Sequence, residues 1–171
     1  MMNFDDVIKS RYSVREYQDK IVEKKLINEI LESGRIAPTA ACKNPVIVYN
    51  LSEKQIKDVK EATKYTFNAR NMFLICYDSN VSHKRSQDGL DFGVQDVAII
   101  TSHMMLKITE LGLGSCWVGS FYPDKVSQIF NLKNNIVPVA MLPFGYISEN
   151  CKTSEWHNDR RTMSEFAKEF D

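Results

Sequence analysis

Arg11, Ser13 and Arg15 occupy every second position of the stretch SRYSVREYQ, Ser10 to Gln18. A guanidinium is a rigid fork of donors that matches phosphate or carboxylate two bonds at a time. In an extended segment alternate side chains share a side, so all three groups would meet one ligand. In a helix only Arg11 and Arg15, four apart, would share a face. Either way two cations converge on one anion or acceptor-rich group. Other chemistries are thinly represented. His83, His103 and His157 are scattered with no HExxH, so no metal site is expected. Cys42, Cys76, Cys116 and Cys151 form no CxxC pair, and so few cysteines in a chain of 171 residues do not suggest a disulfide framework.

The bulk composition narrows the partners. Hydrophobic residues make up 43% and charged residues 26%, an ordinary globular balance for one domain over residues 1–171. Lys plus Arg and Asp plus Glu are 22 each, so the formal net charge is zero. A broad nucleic-acid surface needs clustered positive charge, so any basic site must be local. The start, MMNFDDVIKSR, has acidic residues where a signal peptide would carry basic and then apolar ones. No apolar run approaches the roughly 20 residues of a membrane helix. A reduced, cytoplasmic protein without membrane or nucleic-acid partners is expected.

The elements that must position the arginines follow from periodicity. A short helix is predicted over Phe4–Ser10, and a second over Glu23–Arg35 with Leu26, Ile27, Ile30 and Leu31 as its apolar stripe. Val46–Leu51 and Met72–Tyr77 read as strands, the latter buried on both faces. Ser52 with Gln55 is a capping box opening a helix to Ala62, and Thr162 with Glu165 opens another. Leu90–Leu111 is the longest predicted helix, apolar round much of its circumference and expected to be buried, with a partner subunit as one surface that could cover it, and with Asp88 and Asp91 at its start. CWVGSF suggests a short strand or strand-like turn, Pro123 the first turn of a helix, and NIVPVAMLPFGY a strand in which Pro138 marks an edge or bulge. Helices and strands alternate without requiring a parallel sheet, which gives an α+β class.

Taken in order, RYSVREY, APTAACKNP, GLGSCWVGSF and PFGY…NDRR resemble the nitroreductase family of FMN-dependent oxidoreductases, over nearly the whole chain. The resemblance implies a central, mostly antiparallel sheet flanked by helices, and a homodimer with FMN at the interface. It implies that Arg11 meets the FMN phosphate, with Tyr12 beside it, that Ser13 supports the phosphate or ribityl chain, and that Arg15 reaches the pyrimidine edge. Arg160, with Arg161 as its neighbour, matches the late phosphate-binding arginine. Pro38, Thr39, Ala40 and Asn44 match a loop supplied by the partner subunit. Gly119 and Ser120 match the backbone segment facing flavin N5, and Asn68 a residue at the ring edge. Hydride would pass from NAD(P)H through N5 to a small acceptor such as a nitroaromatic or quinone, with no side chain needed as acid.

Three positions depart from the family pattern: Cys42 where asparagine is frequent, Asn44 where glutamine is, and Val46 where tryptophan is. Cys42, Cys76 and Cys116 read as inert small core residues, Trp117 as a packing anchor, and His83 and His103 as surface or helix residues. Tyr65 and Phe67 could line the substrate side or the core. A flavin-binding or sensory module with little turnover, and a reductive dehalogenase on the same scaffold, are the alternatives to an NAD(P)H oxidoreductase.

Overall fold

A strand buried on both faces sits at the centre of the molecule. A computed structural model describes residues 2–170. In it β2 (Asn71–Asp78) pairs antiparallel with β1 (Val46–Asn50) on one side and with β4 (Ile136–Gly145) on the other, and β4 carries the two-residue β3 (Gly114–Ser115) on its far edge. The order is β1-β2-β4-β3, antiparallel throughout, as the α+β reading expected.

The alternation of side chains along a strand sorts the apolar run of β2 into two cores. Phe73, Ile75 and Tyr77 point to one face, where they meet Ala140, Leu142 and Phe144 of β4 under helices α2 (Lys24–Arg35) and α4 (Gly93–Glu110). Met72, Leu74 and Cys76 point to the other, with Met141 and Val118, under α3 (Glu53–Asp58) and α5 (Pro123–Ile129). Phe73 and Phe144 stack with centroids 4.5 Å apart. The register slips once: Ile75 faces Ala140 but Cys76 faces Pro138, so Val139 is the extra residue of a bulge. Proline lacks the N–H a regular ladder needs, and the expected irregularity at Pro138 lies there.

Local signals set most boundaries. α1 (Phe4–Ser10) is capped by Asn3, whose side chain accepts from the Asp6 N–H at 3.0 Å. The Ser52–Gln55 capping box opens α3, which tightens into a 3-10 turn at Val59–Glu61, and Thr162 with Glu165 opens α6 (Met163–Phe166). α2 lies on α4 because Gly34 lets the helices approach: a Cβ there would stand 2.9 Å from Met104 Cγ.

Two expectations, for Asp88 and for Cys42, need correction, and two gain detail. Asp91 does accept from the Gly93 N–H at 2.8 Å, but Asp88 pairs with Arg85 and belongs to the preceding turn. CWVGSF forms no strand of its own: the strand is Gly114–Ser115, and Val118 adds one isolated bridge to Met141. Cys42 is exposed rather than in the core. α4 is not buried by its apolar residues alone. Val97, Ile100, Met104, Met105 and Ile108 are buried together with the polar Asp96 and Thr101, at 1% and 0% exposed, whereas Val94, 53% exposed, faces outward. Among the described residues no helix is long and apolar enough to cross a membrane.

Candidate active site

The arginine motif is extended, and it is docked on the sheet. Helix α1 ends at Arg11, whose φ −65° and ψ 124° turn the chain into an extended path. Ser13 then bridges Ser115 in parallel, and the Val14 N–H donates to the Ser115 carbonyl at 2.9 Å. Val14 points inward, 1% exposed, and packs on Gly114, where a Cβ would stand 2.5 Å from Val14 Cγ2. Alternation therefore turns Arg11, Ser13 and Arg15 to the opposite side, as the extended reading expected. The Tyr17 hydroxyl stands 2.8 Å from the Val14 carbonyl and 3.0 Å from that of Pro143, tying the strip to β4. Burial pushes the Tyr17 phenol far above its ordinary range, so it remains a donor.

Several features suit this strip to a ligand. Among the described residues neither Arg11 nor Arg15 forms an ion pair; Arg15 makes one long hydrogen bond, 3.4 Å, to the Ser13 carbonyl. Ser115 Oγ is buried beside Ser13 without a partner. Cys116 follows; burial pushes its thiol up, against the opposing pull of the Arg15 guanidinium and the Ser13 hydroxyl. Ser115 and Tyr17 went unnoticed in the sequence. GLGS signalled a helix end, and nothing in it showed that its serine would lie against Ser13.

The C-terminal segment returns along the same strip. The Gln18 N–H donates to the Tyr146 carbonyl at 2.9 Å and the Ser148 N–H to that of Glu16 at 3.1 Å. His157 then meets Tyr12 edge-on, centroids 6.3 Å apart. Three residues on, Arg160 is exposed, with Nη1 donating to the carbonyls of Trp156 and Asp159 at 3.2 and 2.8 Å.

Gly119 and Ser120 extend the edge in the other direction. After Val118 and Met141 exchange two 2.9 Å backbone bonds, Gly119 is exposed, and a Cβ on it would meet only Trp117 Nε1 at 3.5 Å. Ser120 abuts the turn at 60–65: its carbonyl accepts from Thr63 Oγ1 at 2.7 Å. Asn68, at φ 52°, accepts from Lys60 Nζ at 3.2 Å on the outer side of that turn. Tyr65 and Phe67 pack on the α3 core, half-buried.

The loop at Pro38, Thr39, Ala40 and Asn44 lies elsewhere. Ala41, Cys42 and Asn44 have φ of 50°, 53° and 49°, a costly region for residues with a Cβ. The loop is held by Thr39 Oγ1, which accepts from the Asn44 N–H at 3.0 Å, and by buried Asp96, whose Oδ1 accepts from the Ala40 N–H at 2.8 Å. Asp96 Oδ2 has no partner. The loop precedes Val46, which pairs with Tyr77, whereas Ser13 reaches β2 through Ser115, Phe144 and Asn71. At a strand's rise, Asn71 and Tyr77 are roughly 20 Å apart, and the four inter-strand steps from β1 to Ser13 add roughly 19 Å across the sheet. One chain thus places the two halves of the expected site at opposite corners.

An antiparallel sheet between helical layers, with an arginine strip docked on its β3 edge, is the architecture of a nitroreductase. The family model described as "Putative TM nitroreductase" matches residues 3–170, and the chain belongs to this family. A solved nitroreductase family protein from Clostridium difficile 630 is 37% identical, with a TM-score of 0.91 over 98% of each chain. A protein of Methanothermobacter thermautotrophicus named "Putative NADH dehydrogenase/NAD(P)H nitroreductase" is 28% identical over 165 residues, 90% of this chain and 82% of the relative. An FMN-dependent nitroreductase from Clostridium difficile R20291, 20% identical, shares the fold with a TM-score of 0.75 over 92% and 98% of the two chains. The protein is an oxidoreductase of the nitroreductase family.

Proposed function

We propose that residues 1–171 form one domain that binds FMN in a cytoplasmic homodimer and passes hydride from NAD(P)H to a small electron acceptor, a nitroaromatic or a quinone. The observation that carries this reading is the docked strip. Arg11, Ser13 and Arg15 face one way, their cations free of carboxylates, along an edge that ends at the open backbone of Gly119. A terminal phosphate suits Arg11 and Ser13, with Tyr12 beside them and Arg160 swung in from the C-terminal segment. When bound, FMN would supply the two-electron redox chemistry between NAD(P)H and the acceptor, held by Arg11, Ser13, Arg15 and Arg160.

The chain's own groups bind and orient. Arg15 sets a positive charge at the pyrimidine edge, where negative charge grows on reduction, and so favours the reduced state. Gly119, with only Trp117 Nε1 near the position of a Cβ, would let backbone approach the ring plane. Ser120 continues that edge, and Asn68 stands at its outer end. Pro38, Thr39, Ala40 and Asn44 cannot reach the strip of their own chain, so they serve the strip of a second copy. The outward-facing Val94 of α4, next to the loop's Asp96 anchor, supports a partner at this corner. The four free cysteines accord with a reducing compartment.

Anaerobic addition of NADH or NADPH to the yellow protein tests the reading. Rapid bleaching, reversed by a quinone, is expected. A colour that persists with both nucleotides would mark a flavin carrier instead.

A further inference from the structure

We propose that the cleft between the 60–65 turn and Ser120–Tyr122 holds the anionic group of the molecule that exchanges hydride beside Gly119, and so makes the enzyme select negatively charged substrates. This rests on the function proposed above and adds a substrate class to it. The cleft encloses about 490 Å³, a volume typical of small-ligand sites. Its two walls are fastened together: Thr63 Oγ1 donates to the Ser120 carbonyl at 2.7 Å, and the Tyr122 N–H donates to the Ala62 carbonyl at 3.0 Å. It adjoins the candidate flavin edge directly, because Ser120 belongs to both.

Its chemistry is cationic and aromatic. Lys60 and Lys64 line it, with Glu61 as the one acidic lining residue, between the rings of Tyr65 and Tyr122. Lys64 Nζ lies 5.3 Å from the Tyr65 centroid, and Lys125 Nζ lies 5.2 Å from that of Tyr122. Among the described residues none of these three lysines has a carboxylate partner; Lys60 bonds only Asn68. Lys20, Lys57 and Lys107 have acidic partners, and the other lysines stand without one among the described residues, so what marks Lys60 and Lys64 is their place in a cleft rather than their lack of a partner. In a chain of zero formal net charge, two lining ammoniums, Lys60 and Lys64, beside the phenols of Tyr65 and Tyr122, with Lys125 near the latter ring, make a local field for an anion on a flat ring. That anion has two possible sources, a carboxylate on the aromatic acceptor or the 2′-phosphate of NADPH.

The test compares matched substrates of different charge in wild type and in the exposed double variant Lys60→Gln/Lys64→Gln. The ratio of kcat/KM for 4-nitrobenzoate over methyl 4-nitrobenzoate is one arm, and that for NADPH over NADH is the other. In wild type at least one ratio exceeds unity and shrinks as salt rises. In the double variant that ratio falls about three- to tenfold, the scale of losing two partly screened charges. A fall in the first assigns the anion to the acceptor, and a fall in the second to the nucleotide. Ratios unchanged in an active variant overturn the proposal. A binding arm is independent of turnover: in calorimetry wild type binds benzoate more tightly than benzamide, and the double variant does not. Equal binding by wild type overturns the charge selectivity, whether or not the protein reduces anything. A charge preference in binding without any turnover leaves the cleft standing and removes the enzymatic reading instead.

Discussion

Arg11 and Arg15 face the same way from one extended strip, yet their roles separate under mutation. With Arg11 assigned to the phosphate, as proposed, Arg11→Ala should remove a charge-assisted bond worth about 1.5–3 kcal/mol and lower FMN affinity roughly ten- to hundredfold in a titration of apoprotein. Arg15→Ala, kept saturated with FMN, lowers the flavin potential and slows anaerobic reduction by NAD(P)H in stopped flow. Arg15→Lys is milder, because it keeps the charge and loses only the fork. Reduction of Arg15→Ala at the wild-type rate and potential would refute that role. A buried thiol gives a second handle at this scale. Burial pushes Cys76 from its ordinary value near 9 up to about 12. The unfolded chain therefore loses this proton at lower pH than the folded one. The stability due to the neutral thiol is full below pH 9 and is lost between 9 and about 12, at about 1.4 kcal/mol per pH unit. Denaturant unfolding at pH 8 to 11 should show this decline, and Cys76→Ala should flatten it; an equal slope in both assigns the decline to other groups. Residue types announced the arginines well. They did not announce Ser115, Tyr17 or Asp96, whose roles depend on which distant backbone they meet.

Two glycines at the β3 edge show how elements carry the site. Gly114 is closed in: a Cβ would press Val14 Cγ2 at 2.5 Å and Ile147 Cγ1 at 2.9 Å. Gly119 is open, with only Trp117 Nε1 at 3.5 Å. Gly114→Ala should therefore cost about 1–3 kcal/mol and lift the arginine strip, lowering stability and FMN affinity together. Gly119→Ala should leave the melting temperature unchanged and weaken FMN binding alone. Thermal melts with FMN titration distinguish the two; a stable, fully binding Gly119→Ala would show that nothing approaches its backbone. The elements themselves were legible. Capping boxes at Ser52 and Thr162, the stripe of α2 and the doubly buried run of β2 all signal locally. The short β3 was not, because its pairing with Gly145 and Phe144 depends on contacts some thirty residues away. The apolar circumference of α4 did call for a partner surface, but not for Val94 as the position that faces outward.

At the scale of the molecule, the sheet's corners divide the site. The strip and the loop at 39–44 belong to one constellation by resemblance and stand at opposite ends of one chain, which makes a second copy part of the account. Sedimentation of the yellow protein at micromolar concentration should give twice the 19.7 kDa chain mass. A monomer that keeps its flavin would place the loop outside the site. Order along the sequence made the family legible, but the distance between its pieces became visible only in the register β1-β2-β4-β3. Whether this strip and this loop hold FMN, as proposed, is tested by chromatography of the flavin released on denaturing the purified protein. FMN is expected, approaching one per chain after reconstitution. Recovery of FAD, or of no flavin after reconstitution, would contradict it.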